Sequence, residues 1–332
     1  MPPAGPLFLN RDDVRALLDL PDCIDAVEVA LRAHAEQRVP CEPGVLGTHM
    51  NDGGFHVKTA GLGSAPCYFA AKINANFPYN ASRFTLPTIQ GVIALFDGER
   101  GTPLALMDSI EITTLRTAAA SALAARYLAR EDASVVTIFG CGNLGRGHLR
   151  ALFHVRPIRR AFAFDADPSR ARKFAEELAR ELGIDVTPGV SLAASMRTSD
   201  ICVTCTPAKQ PILPAELLQV GMFVAAVGAD NPEKQELEPE ALRRSKVVVD
   251  LLEQAATMGD LHHALAAGVM TVDDVHAELG QIIAGQRPGR TSPDEIFVFD
   301  STGTALQDVA AAALVYERAQ QSGRGVTLRM SG

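Results

Sequence analysis

The segment Gly140-Cys141-Gly142-Asn143-Leu144-Gly145 has the spacing G-x-G-x-x-G. The pattern alone is weak. It gains weight because it directly follows the apolar run VVTIF and opens a helical pattern. In that setting Gly140 permits the tight turn, Gly142 lets the backbone approach a pyrophosphate, and Gly145 lets helix and strand pack closely. The helix N-terminus, with Asn143 and Leu144, supplies free N–H groups and a positive dipole to the phosphates. The next apolar run, AFAFD, ends at Asp165. It lies about 20–25 residues after the glycines, where a carboxylate accepts from a ribose 2′-OH and repels a 2′-phosphate. This favours NAD(H) over NADP(H), a preference that Arg170 and Arg172 soften. Asp167 reads as a turn residue before Pro168.

Three cations also stand out. Lys72 lies in YFAAKINANF, among small and apolar residues. It is either a strand-edge lysine reaching for water or a lysine doing chemistry, and the pattern leaves both open. Arg116 lies in ITTLRTAAA, in the first turns of an apolar helix, where the dipole mildly disfavours a cation. A bound carboxylate clamped by the guanidinium fork explains it. An ordinary surface or salt-bridge arginine is the alternative that pattern alone favours. Lys58 lies in FHVKTA. Strand alternation puts His56 and Lys58 on one face and Val57 on the other, with Phe55 and Val57 expected in the core. Three cations in one pocket repel one another unless anions neutralise them. An α-carboxylate would supply one negative charge and a second carboxylate another. The bland alternatives are that Lys58 only stands in for an arginine missing from this region or points at solvent. No metal site is expected, because the β-rich ICVTCT puts Cys202 and Cys205 on opposite strand faces and no second cluster completes a zinc set.

These residues need elements to hold them. The chain opens with two helical segments, one capped by Asn10 or Asp12 and the next by Asp22, with Ile24, Val27, Leu31 and His34 at helical spacing. After Pro40 come short β-rich runs separated by Gly, Pro and Asn, which predict a mixed or antiparallel sheet. Asp97-Gly98 through Gly101 forms a hairpin turn within it. Ser109 or Thr113 opens a long Ala-rich helix, roughly Thr113 to Ala129. REDAS, near residues 130 to 134, is a polar boundary. Beyond it strands and helices alternate: VVTIF, AFAFD, a helix near Pro168–Leu182, DICVTCT, FVAAVG, KVVVD and IFVFD. Such alternation predicts a parallel, doubly wound sheet. A terminal helix follows, about Thr304 to Gln321. The expected class is therefore α/β, a Rossmann sheet plus an α+β substrate and dimerisation domain. The expected spans are 1–125, completed by 304–332, and 126–303. Asp230, directly after FVAAVG, stands at a strand's carboxyl end, where doubly wound sheets bind ligands.

Bulk properties agree with a globular metabolic protein. The 332 residues suffice for two domains, with 47% hydrophobic and 21% charged residues and a net charge of -8. No basic block is present, which disfavours nucleic acid and anionic membranes as partners. MPPAGPLFLN lacks the features of a secretory signal, and Arg126 interrupts the apolar stretch around Ala118 to Ala125. Six scattered cysteines suggest reduced thiols and a cytoplasmic location.

Taken together, AAKINANFP, TTLRTAAASALAARYLA, IFGCGNLG, AVGADNPEKQEL, ELGQIIAGQRPGR and VFDSTGTALQD resemble the ornithine cyclodeaminase/μ-crystallin family over nearly the full length. That family includes archaeal-type alanine dehydrogenases and imine reductases. The resemblance implies that Lys72 contacts the substrate carboxylate or imine and that Arg116 clamps the carboxylate. It also implies that Asp230 is the catalytic aspartate beside the nicotinamide. Thr206 and Pro207, Val227 and Gly228, and Ser301, Thr302 and Gly303 then line the cofactor. A homodimer joined through the substrate domain is implied as well. Two departures bear on substrate. FHVKTA carries no carboxylate to meet the distal amine of ornithine, and no arginine lies between Val39 and Lys58 to match an early carboxylate-binding one. The reading is an NAD(H)-dependent amino-acid dehydrogenase or imine reductase acting on a small amino acid or its imine, alanine-like or dicarboxylic as in aspartate and iminosuccinate. A cyclodeaminase of a basic amino acid using catalytic NAD+ and a μ-crystallin-like binding protein are the alternatives.

Overall fold

The computed structural model describes residues 5–330, and the chain divides into two compact units. One holds the residues up to Arg116 together with those from Thr304 on; the other is Thr117–Gly303. The division falls inside the helix Ser109–Leu128, and REDAS follows that helix. Residues 1–4 and 331–332 of the expected domain spans lie outside the described residues.

The first unit is built on a seven-stranded mixed sheet. Its order is Val326–Thr327, Leu7–Leu9, Pro103–Asp108, Ile89–Asp97, Tyr68–Asn76, Gly53–Leu62 and Gly44–Met50. All pairings are antiparallel except that of Leu7–Leu9 with Pro103–Asp108. The helix Ala305–Ser322 packs on the strands Gly53–Leu62 and Tyr68–Asn76 and on the helix Leu20–Ala35. Leu20–Ala35 contributes the buried Ile24, Val27 and Leu31. Its cap is Asp19, which accepts from the Asp22 amide at 3.0 Å, rather than Asp22. Pro21 needs no amide partner in the first turn, so the start moves upstream of it. Asn10 caps the preceding helix, Arg11–Leu17, in a capping box with Asp13. Asp97 closes the hairpin by accepting from the amides of Glu99 and Arg100, and Gly101 takes positive φ.

The register decides which sheet face is core. Val45, Lys58, Lys72, Ile93 and Met107 form one row across five strands. Leu46, Val57, Ile73 and Val92 form the next row, on the opposite face. Lys58, Lys72, Ile93 and Met107 are buried. Phe55, by contrast, is 38% exposed and Ile73 42%. The expectation that Phe55 and Val57 enter the core is thus reversed. The terminal helix covers the face that carries the lysines, a contact that alternation within one strand cannot reveal.

The second unit is an eight-stranded sheet, all of whose pairings are parallel. Its order is Ala277–Glu278, Lys246–Val249, Phe297–Asp300, Phe223–Ala226, Ile201–Thr204, Val135–Phe139, Arg160–Phe164 and Asp185–Pro188. A short parallel pair, Lys209–Leu213 with Gln235–Leu237, lies apart from it. The central strands are buried along their length, as near-continuous apolar runs require of a sheet covered on both faces. Cys202 lies within its strand and Cys205 one residue past the end, so the two-face expectation applies only to Cys202.

Candidate active site

In the first unit the sheet brings two lysines side by side. Lys58 and Lys72 are register partners on neighbouring strands and both are buried. Arg116, also buried, comes from the long helix. What joins Lys72 and Arg116 is a residue that the sequence reading did not assign. Asp308, on the first turn of the helix Ala305–Ser322, pairs with Lys72 Nζ at 2.7 Å through Oδ2 and with Arg116 Nε at 2.9 Å through Oδ1. Its neighbour Gln307 accepts from Arg116 Nη1 at 2.8 Å, and the Gln307 side-chain amide nitrogen is buried without a hydrogen-bond partner. The premise that only ligand carboxylates neutralise the three cations is therefore corrected: the protein provides one carboxylate itself.

The electrostatics of this cluster are uneven. Burial lowers the Lys72 ammonium to about 7; Arg116 and Lys58 push the same way and Asp308 opposes them. Burial alone would raise the Asp308 carboxyl, but Arg116 and Lys72 outweigh it and hold it below its usual value. Asp308 is thus an anion flanked by Lys72 and Arg116. A guanidinium and a lysine set side by side are a geometry suited to a carboxylate.

In the second unit the predicted cofactor residues fall at the carboxyl ends of five consecutive strands: Arg160–Phe164, Val135–Phe139, Ile201–Thr204, Phe223–Ala226 and Phe297–Asp300. The glycine loop follows the second of these. Gly140 has φ 100°, and a Cβ there would lie 2.7 Å from the Cys205 carbonyl. A Cβ on Gly145 would lie 2.0 Å from the Gly140 carbonyl, so close packing demands glycine. Gly142 is different: a Cβ there would meet nothing within 4 Å. It is the N-cap of the helix Asn143–Val155 and offers no side chain to the first-turn amides. Open space above uncapped amides, reached through Asn143 and Leu144, fits a pyrophosphate.

Asp165 sits beyond the neighbouring strand. Its Oδ2 accepts from the Cys141 amide at 2.8 Å and its Oδ1 from the Asp167 amide at 2.9 Å. It therefore braces the glycine loop, and each oxygen keeps a second lone pair for a ribose hydroxyl. Arg146 reaches back to the Cys141 carbonyl from the following helix.

The remaining loops rest on buried acids that the sequence reading missed. The Thr206 amide and hydroxyl donate to Glu236, as does the Gly228 amide. Ser301 Oγ, Thr302 Oγ1 and the Gly303 amide donate to Asp250 at 3.1, 3.0 and 2.6 Å. Val227 is buried, its amide on the Thr204 carbonyl, while Pro207 is exposed. Asp230 is half-exposed. Its Oδ1 accepts from Lys234 Nζ at 2.6 Å, and its amide donates to the Gly228 carbonyl at 3.2 Å. No cluster able to hold a metal ion occurs among the described residues. Nor is any helix among them long and apolar enough to cross a membrane.

Comparison with known proteins bears on what these two sites do. A model described as the ornithine cyclodeaminase/mu-crystallin family matches residues 5–323. An archaeal alanine dehydrogenase dimer with bound NAD superimposes with a TM-score of 0.93 and 36% identity, covering 98% of this chain and 100% of that one. The Thermococcus litoralis Δ1-pyrroline-2-carboxylate reductase in complex with NADH and L-proline gives 0.91 and 33%, covering 97% and 100%. The iminosuccinate reductase of Paracoccus denitrificans in complex with NAD+ gives 0.89 and 29%, covering 98% and 100%.

Proposed function

The chain belongs to the ornithine cyclodeaminase/mu-crystallin family, and from that premise we propose that it is an NAD(H)-dependent amino-acid dehydrogenase or imine reductase. Its substrate is a small amino acid or the matching imine, alanine-like or dicarboxylic. The observation that carries this reading is the buried cluster in which Asp308 and Gln307 hold the Arg116 guanidinium beside Lys72. A guanidinium and a lysine set side by side suit an α-carboxylate and not the cationic side chain of ornithine. The open, uncapped glycine loop and Asp165 suit NAD(H), which supplies the hydride acceptor or donor when bound.

The chain's own residues would then divide the work. Arg116 presents a fork to the carboxylate, and Gln307 and Asp308 fix that fork. Lys72 adds charge toward the same group. Asp230 takes or gives the proton at nitrogen or at water, with Lys234 holding one carboxylate oxygen. A homodimer is supported by the row Leu46, Val57, Ile73 and Val92, which spans four strands with Leu46 62% exposed. Ile73→Asp should convert the dimer to a monomer in light scattering; a wild-type monomer would reject the dimer. The six free cysteines support a reducing, cytoplasmic setting.

The function is tested by NADH oxidation with pyruvate or oxaloacetate plus ammonia or methylamine, and with cyclic imines. Ornithine and lysine are followed alongside for ammonia release. Oxidation with at least one imine is expected. Ammonia release from ornithine without net NADH turnover would favour the cyclodeaminase instead.

A further inference from the structure

Glu236 gathers donors from two loops on one fully buried carboxylate. Its Oε1 accepts from the Thr206 amide at 2.6 Å and the Thr206 hydroxyl at 2.7 Å, and its Oε2 accepts from the Gly228 amide at 2.8 Å. Thr206 follows the strand Ile201–Thr204, and Gly228 follows its neighbour Phe223–Ala226. The fit leaves no slack: a Cβ on Gly228 would lie 2.4 Å from the Thr206 carbonyl and 2.5 Å from Glu236 Cδ. Glu236 is itself held from behind. Its amide and that of Leu237 donate to Asp260 Oδ1, both at 2.8 Å. The amides of Asp260 and Leu261 in turn donate to Asp300 at 3.3 and 2.8 Å.

A buried carboxylate is costly, and packing alone does not require one. Three convergent N–H and O–H donors do, because only a carboxylate accepts on both arms. A glutamine of the same shape would turn an NH2 toward an N–H. Burial, with Asp260 adding to it, pushes the Glu236 carboxyl up to about 7, and the Thr206 hydroxyl and amide oppose the rise. Asp260, Cys202 and Cys205 are the other titratable groups that feel it.

We propose that Glu236 is a positioning residue for hydride and proton transfer. Its carboxylate locks the Thr206 and Gly228 loops, which would flank the cofactor, and through Gly228 it aims Asp230. The link to Asp230 is short, since the Asp230 amide donates to the Gly228 carbonyl at 3.2 Å. Both halves rest on the proposed function, the loop half on NAD(H) binding beside Thr206 and Gly228 and the Asp230 half on proton transfer by Asp230. Misplacing a reacting group by about 1 Å can cost about a hundredfold in rate, so loosening one lock is visible kinetically.

The test uses Glu236→Gln, Thr206→Val and Asp230→Asn, each checked for folding by thermal melting. NADH Kd is read from cofactor fluorescence, and kcat and KM from imine reduction. For Glu236→Gln, kcat should fall about tenfold or more with substrate KM within about twofold, and NADH Kd should rise several-fold. Thr206→Val removes only the hydroxyl donor and should move NADH Kd and kcat the same way by a smaller factor. If Glu236→Gln does not fold, Thr206→Val decides. Wild-type NADH Kd and kcat in the folded variants overturn the proposal. So does a loss confined to substrate KM. Asp230→Asn separates the two readings: should it keep full kcat, Asp230 leaves the mechanism, while NADH Kd in Glu236→Gln still judges the loop lock.

Discussion

Lys72 lies between a guanidinium and a carboxylate that pull its proton in opposite directions. Burial and Arg116 win over Asp308, bringing the ammonium down to about 7. The sign follows directly. Below about pH 7 the free enzyme carries a charged Lys72 that attracts the substrate carboxylate; above it the side chain is a neutral amine. Because kcat/KM reports the free enzyme, kcat/KM for an oxo acid or imine should fall as pH rises through about 7. A bound carboxylate favours the charged form, so the limb in kcat should lie at higher pH. Arginine keeps its charge throughout. Lys72→Arg should therefore remove the limb from the neutral range, even at lower overall activity. A flat wild-type profile, or an unchanged limb in Lys72→Arg, would exclude Lys72 as its source. Asp308 was hidden in the sequence for a reason that applies to Glu236 as well. In ALQDVAAAA and EKQELEPE an acid reads as a solvated or capping residue. Only tertiary contact reveals that each is the buried acceptor of several donors.

At the level of elements, the glycine loop was the most legible part. Strand, turn and helix are sequence-local, and the three glycines differ in ways that match their expected tasks. Asp165 was legible as the acid after the second strand, but its bond to the Cys141 amide was not. It braces the loop, and the proposed function gives it the ribose as a second task. Asp165→Ser should weaken NADH binding by about tenfold or more, the scale of losing a hydrogen bond to a charged acceptor. It should also narrow the gap between NADH and NADPH. Comparison of the two Kd values in wild type and variant checks this, and a wild type that prefers NADPH would remove the ribose role. Other elements were harder to read. The long helix starts at Ser109, the earlier of the two expected openers, because Asp108 at the end of the preceding strand accepts from the Ile110 amide. Asp185–Pro188 and Leu7–Leu9 are short edge or near-edge strands, and Leu7–Leu9 is fixed by partners far along the chain.

At the scale of the whole molecule, each of the two units carries its own cluster of buried polar groups. The first unit presents buried cations around Asp308, and the second presents a glycine loop with three further loops braced by buried carboxylates. The class of each unit could be read from periodicity, because alternation of strands and helices differs from a run of short strands. Which sheet face is covered could not, because the covering helix comes from the far end of the chain. The central claim is that the protein transfers hydride between NAD(H) and the α-carbon of an amino or imino acid. The most direct measurement is to supply NADH deuterated at the transferring position with pyruvate or oxaloacetate plus ammonia, or with a cyclic imine, and to examine the product by mass spectrometry. Deuterium at the α-carbon, absent with Asp230→Asn, is the expected result. Product without α-deuterium, or no NADH oxidation with any imine while ornithine loses ammonia, would contradict it.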